Sequence, residues 1–256
     1  MNFTILLFSF VAAVAAGIVN AIAGGGTLIT FPLLTALGLP AVSANITNTV
    51  ALTPGYFGGT WAQREEIKKH GRRLSLLIIM SVTGGIAGGI LLLKTGEKRF
   101  TGLIPYLILF ATLLFATGCT AIRRVAKRMI ISRGRKGKDH SWLPVAFILF
   151  PATLYGGYFG AGVSIVILAA LGLMYNDSLA GLNALKQLMS LCINLSAAIY
   201  FLFSGQVNWP VALTMAAGAI LGGYLGGTMA GRIKPQVMRW TVVIIGIAAG
   251  VYYLLK

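Results

Sequence analysis

The sequence predicts an all-α polytopic membrane protein. It has about eight transmembrane segments in two tandem four-segment repeats, and the first segment of each repeat is broken or re-entrant. Three observations carry this. The 256 residues are 57% hydrophobic and only 10% charged, with a mean hydropathy of +0.85, too apolar for a water-soluble core of this length. Apolar runs long enough to span a bilayer recur at 4–38, 41–62, 74–93, 101–122, 143–173, 179–203, 209–231 and 237–255. Two of these runs are too long, and both carry glycines in their middle.

The run 4–38 would extend about 52 Å as one straight helix, against a hydrocarbon core of about 30 Å. Gly24, Gly25 and Gly26 interrupt it. The run 143–173 has a similar excess and holds Gly156, Gly157, Gly160 and Gly162. Each reads as a broken helix or as a helix followed by a re-entrant piece. Trp61, Trp142, Trp209 and Trp240 fall at run ends, the headgroup level that tryptophan prefers.

The halves resemble one another. "GGGTLITFPLLTALGL" from Gly24 compares with "GAGVSIVILAALGL" from Gly160, and "GGIAGGILL" from Gly84 with "GGYLGGTMA" from Gly222. The domains are therefore a first membrane repeat at 1–122, a basic linker at 123–141 and a second repeat at 142–256. Matched interrupted helices in an internal repeat point to secondary transporters, with a site where the repeats meet. Four crossings per half keep the halves in one orientation. Three crossings, with each broken segment turning back, would invert them.

The net charge of +16 comes from 21 Lys and Arg against five Asp and Glu, and it is concentrated in short loops. This is topogenic charge that also attracts anionic lipid head groups; nucleic acid is not an expected partner. The loops 62–73 and 123–141 hold 13 Lys and Arg. The opposite loops hold six: Lys94, Lys98, Arg99, Arg232, Lys234 and Arg239. With eight crossings, the two basic loops, the loop after Phe203 and both termini are expected on the cytoplasmic side of a prokaryotic inner membrane. The N-terminal run lacks a leading Lys or Arg and reads as a retained first helix. Cys119 and Cys192 form no CxxC pair or disulfide framework. His70 and His140 lie in loops, and no cofactor is expected.

Two helices carry polar stripes. Asn45, Asn48, Thr49, Thr53 and Tyr56 share one face of the second run. Asn183, Lys186, Gln187, Ser190 and Asn194 share one face of the sixth. Such stripes either bond helices together or line a pathway. Lys186 is the sole Lys or Arg well inside a run. Either it snorkels to the interface or it works in the interior. Asp177 reads as part of a helix cap. No other carboxylate enters a run, so the interior offers Lys186, amides, hydroxyls and backbone N–H groups at the breaks. That inventory suits an anion.

The stretch "GIVNAIAGGGTLITFPLLTALGLPAVSANITN" resembles the signature of the TauE/SafE sulfite-exporter family of bacterial and archaeal permeases. The second half matches with "YGGYFGAGVSIVILAALGL" and "ALKQLMSLCINLSAAIYFLFSGQVNW", although Ala161 and Val163 interrupt its glycines. The resemblance covers nearly the whole chain. It implies a permease for small anions such as sulfite or sulfoacetate. It marks the break glycines Gly24, Gly25, Gly26, Gly160 and Gly162 as substrate-binding, with Asn45, Thr47, Asn48 and Asn183. The stripe adds Thr49, Lys186, Gln187 and Ser190. Alternating access between the repeats is the expected mechanism, with an anion channel as the alternative and a homo-oligomer compatible with either. An enzyme is disfavoured because no catalytic constellation lies at membrane depth.

Overall fold

A computed structural model of the chain describes residues 3–22, 24–71, 73–132, 142–175, 177–229 and 235–255. The described residues form helices α1 (Phe3–Ile22), α2 (Thr27–Ala36), α3 (Ala41–Ala62), α4 (Arg64–Lys68), α5 (Arg73–Ser132), α6 (Trp142–Tyr158), α7 (Val163–Met174), α8 (Leu179–Leu202), α9 (Trp209–Met229) and α10 (Pro235–Leu255). No strand occurs among them. The protein is an all-helical, polytopic membrane protein. Among the described residues, four stretches are long and apolar enough to cross a bilayer: Phe3–Ala21, Leu74–Thr117, Ala180–Leu202 and Trp209–Gly226. The C-terminal part of the linker, 133–141 with His140, lies outside the described residues, as does the Cys119 side chain.

Both overlong runs break at their glycines. α2 has 10 residues and α7 has 12, about 15 and 18 Å, half a membrane each. α5 is one 60-residue helical segment, yet Gly96 within it has φ +70°, which an unbroken right-handed helix does not allow. Gly88 packs on Leu154 and Tyr158, and Phe110 meets the Tyr155 ring edge-on at 5.6 Å. In a straight helix Gly88 and Phe110 would lie about 33 Å apart. α5 is therefore a hairpin of two arms turned at Gly96, which matches the two runs read from the sequence.

Contacts fix the directions. Ser43 Oγ donates to the Gln206 carbonyl (2.8 Å), Thr47 Oγ1 accepts from the Asn208 N–H (3.0 Å), and Glu97 accepts from the Ala41 and Val42 N–H groups (2.9 Å for Val42). The starts of α3 and α9 and the α5 turn thus share one face of the bundle. At the other face, Gln63 Oε1 accepts from Asn183 Nδ2 (3.0 Å) and His70 Nε2 lies 2.5 Å from Asp177 Oδ2. This is the basic face, carrying the 62–73 loop.

α1 runs beside α9 in the same direction. Gly218 faces Phe10 and Ala13, Gly222 faces Val14, and Gly226 faces Ile18 and Ala21. α2 then turns back, so that Gly26 packs on Ala16 and Thr35 reaches Tyr253 near the end of α10. α6 climbs parallel to the first α5 arm, with Gly84 against Thr153, and α7 returns to the basic face at Asp177. α10 runs antiparallel to the second α5 arm, with Gly246 on Thr112 and Gly250 on Leu109. Each half is thus a hairpin followed by three crossings, and the second half runs in the opposite sense to the first.

This corrects the sidedness expected from eight crossings. The loop after Phe203, Phe3 and Leu255 lie opposite the 62–73 loop, and Arg239 lies on its side. The reason is that each broken segment turns back instead of crossing.

Large apolar side chains such as Phe8, Leu113, Leu213, Ile220 and Ile244 are exposed around the outside, the belt a bilayer requires. α8 is central, with 67% of its apolar window buried against 28% for α1. Trp61, Trp209 and Trp240 are half or more exposed at helix ends.

Two outcomes are expected. Cysteines introduced at Lys68 and Gln206 will react with an impermeant thiol reagent from opposite sides of the membrane. Gly222→Val drives a side chain into the Val14 backbone. It will lower thermal stability in detergent by about 1–3 kcal/mol, whereas Gly102→Ala, which meets nothing within 4 Å, will leave the melt unchanged.

Candidate functional site

The tips of the two hairpins meet inside the bundle. Gly24 (φ +79°) lies against Ser164, its ideal Cβ position 2.9 Å from the Ser164 Cβ. Gly25 (φ +98°) packs on one side of the Phe115 ring, and Gly162 (φ +74°) packs on the same ring and on Ala111. A side chain at Gly25 would enter the ring, and its backbone conformation already excludes most residues. Phe115, fully buried on the second α5 arm, therefore seats both tips. The N-termini of α2 and α7 begin here, so two helix dipoles direct their positive ends into one region from opposite faces of the bundle.

Side chains satisfy the broken backbone. Asn20 Oδ1 accepts from the Gly26 N–H (2.7 Å), and the Gly24 and Gly160 N–H groups donate to Val19 O (2.9 Å) and Tyr155 O (3.2 Å). Tyr155 OH donates to the Ala161 carbonyl (2.7 Å). Asn45 Nδ2 reaches from α3 to the Tyr158 carbonyl at the end of α6 (2.9 Å). Asn48 bonds Thr30 and Thr27 of α2. Ser190 of α8 lies 3.3 Å, oxygen to oxygen, from Ser164 of α7. Lys186, one turn before Ser190, is buried at 8% exposure.

A cavity of about 570 Å³ opens between α1, α3, α8 and α9 in the half next to the basic face. Asn20, Tyr56, Gln63, Asn183, Gln187 and Thr228 supply its polar lining, with Pro54, Ile220 and Tyr224 as apolar wall. Among the described residues, no ionised side chain lines it. On the opposite side of the tips, Phe31, Phe100, Tyr158 and Phe159 form an edge-to-face cluster with ring centroids 5.3–6.3 Å apart.

The expected site residues divide accordingly. Gly24, Gly25, Gly162 and Ser190 come together at the tips, with Gly26 and Asn48 a turn away on α2 and α3. Gly160 and Asn45 lie at the end of α6. Asn183 and Gln187 line the cavity. Thr49 bonds back to the Asn45 carbonyl (2.9 Å), and Thr47 faces away toward α9. Asn20, Thr27, Thr30, Phe115, Ser164 and Gln63 were not singled out by sequence. Thr27 follows Gly26 directly, and Ser164 and Thr30 come two and four residues after Gly162 and Gly26, which is the signal that marks them.

Among the described residues, the ionisable acids stay at the rims: Glu65, Glu66 and Asp177 at the basic face, Glu97 at the other. Glu66 hydrogen-bonds Lys69 and holds that ammonium's pKa above its ordinary value. Among the described residues, no group of three His, Cys, Asp or Glu side chains is placed to hold a metal ion.

A family model described as sulfite exporter TauE/SafE matches residues 9–253. The chain is similar to a probable membrane transporter protein of Haemophilus influenzae, 26% identical over 247 residues that cover 94% of this chain and 91% of that protein. It is also similar to the probable membrane transporter protein ORF9 of a Sinorhizobium species, 28% identical over 98% of this chain and 93% of the relative. The probable membrane transporter protein YfcA of Escherichia coli K12 is 23% identical over 92% and 84%. No solved structure matches.

Thr30→Val leaves the Asn48 carbonyl oxygen without its hydroxyl donor at a 1% exposed position. The expected loss is about 1–3 kcal/mol in a detergent melt. Thr30→Val combined with Asn48→Leu will recover part of it, because no buried acceptor is then orphaned.

Proposed function

Because the chain belongs to the sulfite exporter TauE/SafE family, and with it to the membrane transporters, we propose that it carries a small anion by alternating access between its two halves. A sulfur oxyanion or organosulfonate such as sulfite or sulfoacetate is the proposed substrate. The observation that carries this reading is the convergence of the α2 and α7 N-termini at tips made of glycine and serine. N–H dipoles from two directions suit an anion, and the small tip residues let it approach backbone. Lys186 supplies positive charge one helical turn from Ser190. The 570 Å³ cavity is the entry from the basic face, and the aromatic cluster closes the other. Absence of carboxylates from the tips supports an anion over a cation as cargo.

The positive-inside rule makes the basic face cytoplasmic, so Phe3 and Leu255 lie on the outer side of the inner membrane. Arg64 over Trp61 (5.0 Å) and Arg239 over Trp240 (5.5 Å) sit where anionic head groups would meet the cytoplasmic rim. A channel is the competing reading, and saturation separates the two.

The test is uptake of radiolabelled sulfite, sulfate, sulfoacetate and acetate into proteoliposomes. Saturable flux of a sulfur oxyanion above empty liposomes is expected, with Lys186→Ala reducing it about tenfold or more through loss of a charge-assisted contact. Bulky side chains at Gly25 or Gly160 will abolish it. Flux of all four anions equal to that of empty liposomes overturns the reading; flux that never saturates replaces the carrier with a channel.

A further inference from the structure

Two helix ends in this chain close in the same way. The Gly24 N–H donates to Val19 O and the Gly160 N–H to Tyr155 O, each five residues back, and both glycines are left-handed at φ +79° and +75°. This registers Val19–Gly24 with Tyr155–Gly160, and so the carbonyl of Ile22 with that of Tyr158. α3 and α8 register likewise. They start at Ala41 and Leu179, and the spacing of Asn45, Asn48 and Thr49 recurs in Asn183, Lys186 and Gln187. The corresponding elements run in opposite directions.

The two asparagines that correspond are not in the same state. Asn45 Nδ2 donates to the Tyr158 carbonyl (2.9 Å), and that side of the bundle is filled, with Asn45 1% exposed and Ala197 and Phe201 at 0%. Asn183 Nδ2 donates instead to Gln63 Oε1 (3.0 Å). Rather than closing on the end of α1, Asn183 lines the cavity together with Asn20 and Ala21.

We propose that Asn45 and Asn183 are alternating latches on the two hairpins. In the other state Asn183 leaves Gln63 and donates to the Ile22 carbonyl, which closes the basic face. Asn45 then releases Tyr158 and opens a matching vestibule on the opposite face. The inference rests on the carrier reading above. Both residues are then positioning residues that set which face is open. Asn45 Oδ1 explains why the bond is reversible. It is buried without a hydrogen-bond partner, so the closed latch satisfies one half of the amide, and opening to water satisfies both. Correspondence also names who lines the new vestibule: Ser196 and Ala197 in the places of Gly58 and Gly59, Thr49 in that of Gln187, and Ile90 in that of Thr228.

The experiment uses the full chain in right-side-out and inside-out vesicles, with Cys119 and Cys192 replaced by Ser. Ser196→Cys and Thr228→Cys are separate reporters for a charged maleimide. Ser196 is 8% exposed here, so its labelling reports the state with the opposite face open, and Thr228→Cys reports the present one. Asn45→Ala is expected to raise labelling at Ser196→Cys and lower it at Thr228→Cys, each by about 2- to 10-fold, the shift from losing one buried hydrogen bond in one state. Asn183→Ala is expected to lower labelling at Ser196→Cys. If both latch variants leave the two rates unchanged, or raise both together as general loosening would, the latches are overturned while the carrier reading stands. If Ser196→Cys is labelled from the opposite face in no variant, the carrier reading falls and the latches fall with it.

Discussion

A helix that stops inside a membrane leaves N–H and C=O groups that neither lipid nor water will satisfy, and each costs several kcal/mol if left alone. Two helices stop in this way here, and much of the interior follows from how their ends are met. The left-handed glycines Gly24 and Gly160 fold each end back onto its own helix. Asn20, Tyr155 and Asn45 supply further partners, for the Gly26 N–H and the Ala161 and Tyr158 carbonyls. Two of these three come from the hairpin's own first helix, and Asn45 comes from the other half of the chain. The polar stripe on α3 therefore does two jobs at once. It closes the backbone of a broken helix, and it ties one half to the other.

The second consequence is close packing. Hairpins of half-length helices fit into a bundle only if the surrounding helices approach them closely, and that requires glycine. Gly218, Gly222 and Gly226 place α9 directly on the α1 backbone, and Gly84, Gly85 and Gly88 do the same for α5 against α6 and α8. Spacing by four keeps Gly218, Gly222 and Gly226 on one face of α9, and Gly84 and Gly88 on the α6 side of α5, while Gly85 turns to α8. Turning back, instead of crossing, also makes the number of crossings in each half odd. The second half then enters from the face the first half left, and the two hairpins reach the same depth from opposite sides.

Some of this was legible in the sequence, and the reason differs from element to element. The breaks were legible because 4–38 and 143–173 exceed a membrane thickness and place glycine where a helix needs none. The hairpin at Gly96 was legible because Lys94, Glu97, Lys98 and Arg99 separate two apolar runs. The direction after each break was not. Charge counting carries only parity, and an overlong run reads equally as a crossing or a return. Within α3 the sequence placed Thr47 beside Asn48, yet Thr47 serves α9 and Asn48 serves α2, because neighbours in a helix point about 100° apart. Phe115 was illegible for another reason. It is one apolar residue in a plain apolar run, and its partners Gly25 and Gly162 lie 90 and 47 positions away. Asn20 carried a signal that went unused: a lone amide six residues before Gly26, within reach of the break it completes.

The distribution of strong and weak contacts bears on how such a bundle could change shape. Two charged contacts sit at the rims, His70 with Asp177 on one face and Glu97 with the start of α3 on the other. Where the hairpins meet, the contacts are glycine on serine, glycine on a phenyl ring and one hydroxyl pair. A buried ion pair at that point would lock the tips, since separating it strands a charge in low dielectric. Neutral contacts between small groups part at little cost. On the proposed function, an anion arriving between two converging helix dipoles would change that balance, because its attraction to both N-termini falls as the tips separate. On that proposal the charge that favours closure is brought by the cargo itself, and a centre without carboxylates among the described residues is the arrangement that leaves the decision to it.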